Sequence, residues 1–483
     1  MRRTHGADGA GSRRPRAPSI PADDDDVDAA PGAPGHEQEA PIDTRLSTAQ
    51  DRTTAVPDSS RASGPAADLP PVTAASVEEA ARRLDGVVAR TPLHRSERLS
   101  QRTGAQVHLK REDLQAVRSY KVRGAYNLLA QLAPEELARG VVCASAGNHG
   151  QGVAAACRQL GVRGRVVVPR TTPRQKRERI AALGGSSVEV VVVGDVYDDA
   201  VTATREEAER SGAVVVPAFD DPRTVAGQGT VACEVVEQLG RAPDVVVVPV
   251  GGGGLLAGMG TWLRERHPGT RLVGVEPAGA ASMAAALAAG RPVPLVDVDT
   301  FVDGAAVRTA GHVTTPLVQA AGAGLVAVPE GQICTEMLAL YQTDGIIAEP
   351  AGALASSALG RQVLLEPGQD VVCVLSGGNN DVSRYADVLE RSLVHEGLKH
   401  YFLVQFAQEP GALRRFLDEV LGPDDDITRF EYVKRNSRET GPALIGVEVA
   451  RPEDLSPLLG RMAETGLDVE RLEPGSPAFQ YLL

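Results

Sequence analysis

The sequence predicts an α/β fold followed by a smaller α+β module, and three observations support this prediction. From about Val72 to Arg391, short β-branched runs alternate with stretches of helical character. Apolar strands that are each followed by a helix are typical of βαβ units, in which helices cover both faces of a parallel sheet. Beyond about His395 the strands instead alternate polar and apolar residues, as half-buried strands do. At 483 residues the chain is long enough for two or three domains of about 150 residues each.

The elements follow from the residue pattern in chain order. The βαβ units comprise strands and helices at residues 165–169, 174–183, 188–193, 198–210, 214–216, 224–239, 245–250 and 255–266. The tail has elements at residues 400–407, 411–420, 427–434, 443–449, 455–465 and 467–472. Its order, β-α-β-β-α-β, indicates a ferredoxin-like module. We therefore predict one domain at residues 73–392 and a second at residues 396–483.

Residues 1–72 are predicted to be a disordered extension. They contain ten of the 33 prolines, no Phe, Trp or Tyr, and an acidic run at residues 23–26. Such a segment cannot bury enough apolar surface to offset the entropy lost on ordering. A transit peptide is the alternative, but transit peptides are poor in acidic residues.

The composition disfavours several kinds of partner. The net charge is −13 and aromatic residues make up 3%, whereas nucleic-acid binding favours basic surfaces and stacking rings. No apolar run approaches the roughly 18 residues of a membrane span, so we predict a cytoplasmic protein without a membrane partner. The five cysteines show no CxxC spacing and are interpreted as buried thiols.

The strongest local signal is a run of four glycines between a predicted strand and a predicted helix. The run consists of Gly251, Gly252, Gly253 and Gly254. Glycines at a helix N-terminus let backbone N–H groups point at an anion, so the run predicts a phosphate site. A tight strand-to-helix turn is the alternative, although two glycines would suffice for one. The spacing matches neither GxGxxG nor GxxxxGK[ST], which disfavours dinucleotide and nucleoside triphosphate sites.

Three further turns rich in small residues are predicted to end strands in the same way. They lie at residues 145–152, 227–229 and 376–380. In an open α/β sheet, ligands bind at the carboxyl ends of the strands. We therefore expect these turns to line one crevice with the glycine run.

Lys121 is the candidate reactive group. A partly desolvated lysine can form a Schiff base with an aldehyde, although a solvated lysine at a helix start is the commoner case. The predicted phosphate loop favours the reactive interpretation, because an aldehyde cofactor that carries a phosphate needs both parts.

Four segments in combination resemble the signatures of the fold-type II pyridoxal phosphate enzymes, and specifically of the threonine dehydratase (threonine deaminase) family. They are residues 119–124, 145–150, 251–254 and 376–379. The resemblance extends over nearly all of residues 73–483. It implies pyridoxal 5′-phosphate as the cofactor and a catalytic domain at residues 73–392.

The resemblance also implies a role for each site residue. Lys121 would form the Schiff base and then act as base and acid, Asn148 would bond the cofactor's 3′ oxygen, and Ser376 would face the pyridine nitrogen. The four glycines of the run would hold the phosphate. The substrate carboxylate would be held by Ser145, Ala146, Gly147, Asn148 and His149.

The implied reaction converts L-threonine into 2-oxobutanoate and ammonia, the first step towards isoleucine. The β-hydroxyl would leave after protonation by the cofactor phosphate or by Lys121. A hydroxyl beside the ring nitrogen makes the cofactor a weaker electron sink, which favours elimination over racemisation. His149 is interpreted as a loop-shaping residue rather than a general base. Glu349 matches a family segment near the cofactor ring, with a surface or helix-capping role as the alternative.

No metal site is predicted. Serine racemases with this architecture hold a divalent cation near the position of Glu276, but this sequence has Ser282 where a second carboxylate is expected.

The tail is similar to the ACT-like regulatory domain of the family, through residues 409–413 and 427–436. It implies isoleucine as an inhibitor and valine as its antagonist. Some relatives carry two copies, whereas this chain has one. The alternative is an oligomerisation module without a ligand, and the family implies a homotetramer.

Other functions remain open at this point. Two alternatives are enzymes: an L-serine dehydratase, which would accept L-serine, and a serine racemase. Both usually lack such a tail. The third is a non-catalytic amino-acid sensor, which the joint presence of Lys121, Asn148, the glycine run and Ser376 disfavours.

Overall fold

The computed structural model of the protein describes residues 70–434 and 438–480. The predicted disorder of residues 1–72 therefore concerns a segment that lies, apart from its last three residues, outside the described part of the chain.

Ten strands and fourteen helices form the described part of the chain before residue 396. The strands are β1 Leu93–Arg95, β2 Gln106–Arg111, β3 Val141–Ala144, β4 Gly164–Val168, β5 Val188–Val192, β6 Val214–Val215, β7 Val245–Pro249, β8 Arg271–Pro277, β9 Gly324–Val328 and β10 Asp370–Leu375. The helices are α1 Ala74–Leu84, α2 Glu97–Thr103, α3 Lys121–Leu129, α4 Pro134–Arg139, α5 Asn148–Leu160, α6 Arg174–Gly184, α7 Tyr197–Ser211, α8 Pro222–Leu239, α9 Gly254–Arg266, α10 Ser282–Ala289, α11 Thr314–Ala321, α12 Glu330–Gln342, α13 Pro350–Ser357 and α14 Tyr385–His395.

These strands form two sheets, so the predicted α/β fold with parallel sheets is confirmed. The larger sheet has the order β1-β2-β10-β7-β8-β9 and is parallel except for β1, which pairs antiparallel with β2. The smaller sheet has the order β5-β4-β3-β6 and is parallel throughout.

Strand β10 shows why its sequence is an unbroken apolar run. Val371, Cys373 and Leu375 face one hydrophobic cluster, and Val372 and Val374 face another on the opposite side. Helices therefore cover both faces of the larger sheet, as expected for parallel strands.

The tail forms a separate antiparallel sheet with two helices against one face. Its elements are β11 Lys399–Ala407, α15 Ala412–Val420, β12 Asp426–Tyr432, β13 Thr440–Glu448, α16 Leu455–Glu464, β14 Asp468–Leu472 and α17 Pro477–Gln480. The strand order β12-β13-β11-β14 is the ferredoxin-like order, which confirms that prediction. Phe402, Phe406 and Phe416 are buried in its core.

One predicted turn is wrong. Residues 227–229 do not end a strand but lie inside α8. A Cβ added to Gly227 would lie 2.7 Å from the carbonyl oxygen of Arg123, and one added to Gly229 would lie 2.7 Å from that of Gly258. These glycines therefore allow α8 to pack closely against α3 and α9. In the sequence, glycines needed for close helix packing look the same as glycines needed for a turn.

Among the described residues, no helix combines the length and the apolar character that crossing a membrane requires.

Candidate active site

A cavity of about 810 Å³ opens at the carboxyl ends of β3, β6 and β7. The segments that follow these strands line it, together with the first turns of α3 and α5 and the loop at residues 298–311. This is the edge of an α/β sheet at which ligands bind. The predicted crevice is present and both parallel sheets contribute to it, but residues 227–229 and 376–378, which were expected to line it, do not.

Lys121 begins α3 and lines the cavity. Its Nζ donates a hydrogen bond to the carbonyl oxygen of Ala218 at 3.1 Å. A carbonyl is an uncharged partner that a lysine can leave readily, so the amine is available for chemistry in the cavity.

A buried ion-pair cluster anchors α3 two residues after Lys121. Arg123 donates through Nε to Glu112 Oε2 at 2.8 Å and through Nη1 to Glu234 Oε1 at 2.6 Å. Arg123 and Glu112 are fully buried. Removing one partner of such a pair leaves an uncompensated buried charge, so the cluster holds the start of α3 in place.

The turn that leads into α5 faces the same cavity. Ser145, Ala146, Gly147, Asn148 and His149 all line it. The hydroxyl of Ser145 accepts a hydrogen bond from the backbone N–H of Gly147 at 3.3 Å, which shapes the turn. Because the first N–H groups of a helix have no partner within the helix, this turn can bind an anion.

His149 is tied to the backbone. Its Nε2 lies 2.8 Å from the carbonyl oxygen of Val216, and the side chain is 5% exposed. Burial, together with the charge of Lys121, lowers the pKa of His149 to about 4. The ring is neutral at neutral pH and therefore donates to Val216, which supports the loop-shaping interpretation over a general base.

The four glycines lie between β7 and the first residue of α9, and all line the cavity. A Cβ on Gly252 would lie 2.4 Å from the Phe219 ring, and one on Gly253 would lie 2.2 Å from Met283 Cε. Side chains are thus excluded, and the N-terminus of α9 opens into the cavity. The tight-turn alternative does not explain why each glycine is packed this closely.

Ser376 follows β10 but is not among the residues that line the cavity. It is 3% exposed, and its Oγ donates to the carbonyl oxygen of Ala351 at 3.1 Å. The sequence-predicted contact of Ser376 with the cofactor ring nitrogen therefore requires its hydroxyl hydrogen to turn away from Ala351.

The cavity residues that were not singled out by the sequence include Asn379, Gln151, Lys176 and Asp303. Asn379 bonds Asn148, Gln151 has a buried Oε1 with no partner in the described part of the chain, and Lys176 pairs with Asp303 at 2.8 Å. Asn379 and Gln151 lie within the predicted turns at residues 376–380 and 145–152, so their positions in the sequence could have indicated that they line the cavity. Lys176 and Asp303 gave none, because only the fold brings α6 to the loop at residues 298–311.

The donor set fits pyridoxal phosphate. The close-packed glycines at the N-terminus of α9 provide an anion site, and Lys121 provides an amine in the same cavity. Within residues 70–434 and 438–480, no group of three or more His, Cys, Asp or Glu side chains could hold a metal ion. Glu276, for example, accepts hydrogen bonds from the backbone N–H groups of Met283 and Ala284.

Comparison with known proteins agrees with this geometry. Residues 84–377 match the family model described as pyridoxal-phosphate dependent enzyme, and residues 390–482 match the C-terminal regulatory domain of threonine dehydratase. The biosynthetic L-threonine dehydratase of Mycobacterium tuberculosis is 64% identical over 411 residues, which cover 85% of this chain and 96% of that protein. The chain belongs to the biosynthetic threonine dehydratase family.

Relatives of lower identity extend the comparison. The biosynthetic L-threonine dehydratase of Bacillus subtilis is 48% identical over 384 residues, which cover 80% of this chain and 91% of that protein. Among solved structures, the processed threonine deaminase isoform 2 of Solanum lycopersicum has a TM-score of 0.62 and 37% identity, covering 67% of this chain and 96% of that one. Maize serine racemase has the same TM-score with 29% identity, covering 67% of this chain and 98% of that one. The fold of a threonine dehydratase therefore does not by itself identify the reaction.

Proposed function

We propose that this chain is a pyridoxal phosphate-dependent threonine ammonia-lyase that converts L-threonine into 2-oxobutanoate and ammonia, the first step towards isoleucine. The observation that carries the proposal is a single cavity that joins Lys121, the N-terminus of α5 and the glycine run at the N-terminus of α9. The similarity to biosynthetic threonine dehydratases supports this reaction over that of the racemases with the same fold.

Each binding role follows from a local feature. The backbone N–H groups of Gly251, Gly252, Gly253 and Gly254, aided by the dipole of α9, would hold the phosphate. The turn from Ser145 to His149, which leads into α5, would hold the substrate carboxylate. Asn148 would donate to the cofactor's 3′ oxygen through its amide nitrogen.

Pyridoxal phosphate, when bound, supplies the electron sink that makes the α-proton of an amino acid removable. Lys121 Nζ takes that proton, since this amine lines the cavity and belongs to the first residue of a firmly anchored helix. The Cα–H and Cβ–O bonds of threonine break, and a water molecule leaves. The released enamine then hydrolyses to 2-oxobutanoate and ammonia, so one water is lost and one is consumed.

The proposed contact of Ser376 with the ring nitrogen requires its hydroxyl group to change its hydrogen-bond partner. Its hydroxyl can donate to a ring nitrogen only after leaving the Ala351 carbonyl, to which it is bonded here. A hydroxyl at this position does not stabilise a protonated ring as a carboxylate would, which favours elimination.

The regulatory tail supports further proposals. We propose isoleucine as the inhibitor and valine as its antagonist, both acting through the domain at residues 396–483. A homotetramer and a cytoplasmic location remain predictions; light scattering of the purified protein measures the first.

The catalytic assignment is tested by replacing Lys121. Lys121→Ala should abolish the visible absorbance of the bound cofactor and lower oxoacid production by about 10³-fold or more, because the chain loses its proton-transferring amine. The chain has five lysines, and only Lys121 and Lys176 line the cavity. Borohydride reduction followed by peptide mapping should place the label on Lys121, and Lys176→Gln is the matched control that should keep it. A label on another lysine contradicts the assignment.

The substrate is tested by supplying L-threonine and L-serine separately. The expected products are 2-oxobutanoate and pyruvate, respectively, with threonine preferred. Faster formation of D-serine than of pyruvate from L-serine would instead support a racemase.

A further inference from the structure

Glu349 is a buried carboxyl group that faces the cavity. It lines the cavity, is 4% exposed and precedes the first residue of α13. Its side chain makes no capping hydrogen bond to that helix. Neither a surface role nor a helix-capping role, the alternatives left open by the sequence, accounts for the position of the side chain.

The carboxyl group ends a chain of hydrogen bonds that fixes the amide of Asn148. Asn379 Nδ2 donates to the carbonyl oxygen of Val117 at 2.8 Å and to Asn148 Oδ1 at 2.7 Å. Since a backbone carbonyl can only accept, the nitrogen of Asn379 must lie on this side, and the oxygen of Asn148 must face it. Asn148 Nδ2 therefore faces Glu349, to which it donates at 2.6 Å.

This arrangement leaves one amide hydrogen of Asn148 uncommitted. Nδ2 carries two hydrogens, and one of them bonds Glu349 Oε1. The described residues provide no other acceptor for Nδ2. Asn148 lines the cavity, so the second hydrogen is available to an acceptor there.

The turn after β10 is shaped to admit the carboxyl group. A Cβ added to Gly377 would lie 2.2 Å from Glu349 Oε1. The backbone N–H of Glu349 also donates to the carbonyl oxygen of Gly377 at 3.2 Å. A side chain at residue 377 would displace the carboxyl group, so Glu349 and the turn form one packed unit.

The charges around Glu349 favour titration near neutral pH. Burial raises the pKa of Glu349 to about 7, and the negative charge of Asp303 on the cavity loop acts in the same direction. The hydrogen bond from Asn148, the charge of Lys176 on α6 and the backbone N–H of Asn379 act in the opposite direction. The group is therefore protonated below about pH 7 and negatively charged above it.

We propose that Glu349 is a positioning residue: its carboxyl group orients the Asn148 amide towards the 3′ oxygen of the cofactor and, by gaining or losing a proton, changes the charge beside the cofactor ring. The inference rests on the proposed function, because it assumes that the cavity binds pyridoxal phosphate. It adds a residue to the site that acts through Asn148 and makes the electronic state of the cofactor depend on pH.

The test is the visible absorbance of the loaded protein as a function of pH. In the wild-type protein the absorbance should change between roughly pH 6 and 8, the interval over which a group with a pKa of about 7 titrates. Glu349→Gln keeps the size and an acceptor oxygen but cannot titrate, so this change should disappear while the cofactor stays bound. Glu349→Ala should weaken cofactor binding by about tenfold, because Asn148 loses the bond that orients it.

Glu276→Gln is the matched control. Glu276 is also buried, and burial raises its pKa to about 7, but it bonds only the backbone of α10 and does not line the cavity. Its replacement should leave the pH dependence of the absorbance unchanged.

Two results would overturn the inference: an unchanged pH dependence in Glu349→Gln, or the same loss in Glu276→Gln. Failure of the proposed function gives a different result, since the wild-type protein would then show no cofactor absorbance at any pH.

Discussion

At the residue scale, Gly253 shows how strictly the anion site constrains its sequence. Its φ is +90°, a left-handed value that residues with a Cβ rarely adopt. An added Cβ would also meet Met283 Cε at 2.2 Å and Thr314 Oγ1 at 3.0 Å. Thr314 itself donates to the carbonyl oxygen of Gly252 at 2.6 Å, so a shift there would deform the run.

We expect Gly253→Ala to weaken cofactor binding by about ten- to a hundredfold, as measured by fluorescence titration of the apoprotein. The physical reason is that backbone strain of roughly 1–2 kcal/mol adds to the steric clash, and each 1.4 kcal/mol corresponds to a factor of ten. Gly290→Ala is the matched control. Gly290 has a φ of +66°, but an added Cβ would meet nothing within 4 Å. Equal loss of affinity in both variants would show that the strain acts through general stability.

The sequence predicts the site residues that belong to a short motif with a recognisable chemical role. Lys121, Asn148 and the glycine run stand in short motifs, and all line the cavity. The bond between Asn148 and Glu349 joins residues 201 positions apart, so no local pattern can predict it. The hydroxyl of Ser376 illustrates the same limit, because its partner Ala351 belongs to another element.

At the element scale, α14 connects the cofactor site to the regulatory sheet. It follows the turn after β10 and is itself followed by β11. Glu390 on this helix accepts hydrogen bonds from Tyr401 Oη at 2.6 Å and from Lys399 Nζ, both on β11. Burial and the contact with Glu390 raise the pKa of Tyr401, so the phenol remains a donor. A displacement of β11 would therefore be transmitted to α14 through these hydrogen bonds to Glu390.

We expect Tyr401→Phe to weaken inhibition by isoleucine about fivefold while leaving uninhibited threonine turnover unchanged. One hydrogen bond contributes roughly 1 kcal/mol, and neither Tyr401 nor Glu390 lines the cavity. Inhibition curves at fixed threonine concentration provide the measurement. Tyr432→Phe is the control, since Tyr432 is 39% exposed and its hydroxyl bonds nothing in the described residues. Unchanged inhibition in Tyr401→Phe would exclude this route.

Apolar runs predict buried parallel strands well, because both faces of such strands need apolar residues. Strand β7, for instance, was predicted at residues 245–250 and spans Val245–Pro249, all of which are buried. The antiparallel edge strand β1 was not predicted, since its three residues, Leu93–Arg95, carry no period that a pattern could detect. Close helix packing at Gly227 was mistaken for a turn because both need a residue without a side chain.

At the scale of the whole molecule, the tail and the cofactor site have separate cores. Residues that line the cavity end at Asn379, and the core of the antiparallel sheet begins with Phe402. The predicted domain end at residue 392 falls inside α14, which runs to His395. Ser392 Oγ lies 2.9 Å from the hydroxyl of Thr335 on α12, so α14 packs against the catalytic part beyond residue 391, while Val394 packs against the tail.

We expect a shortened chain that ends at residue 396 to keep threonine turnover and to lose the proposed inhibition by isoleucine, because the proposed effector site lies in the removed tail. Val394 packs against the cluster around Tyr401 and would become exposed, so solubility and folding are checked first by gel filtration and circular dichroism. Inhibition of a soluble, folded shortened chain with the affinity of the full chain would place the effector site in the catalytic part.

The order of strands in the larger sheet has a consequence for synthesis of the protein. The smaller sheet uses only residues 141–215, whereas β2 must wait for β10, its neighbour in the larger sheet. The hydrogen bond between Asn379 and Val117 closes a loop of 262 residues. Closing so long a loop costs conformational entropy before the contact that closes it stabilises the fold. Strand pairings between residues close in sequence, as in the smaller sheet, therefore form first. During translation, Lys121 therefore emerges from the ribosome early, but the cofactor site can be completed only when nearly all of the catalytic part has emerged.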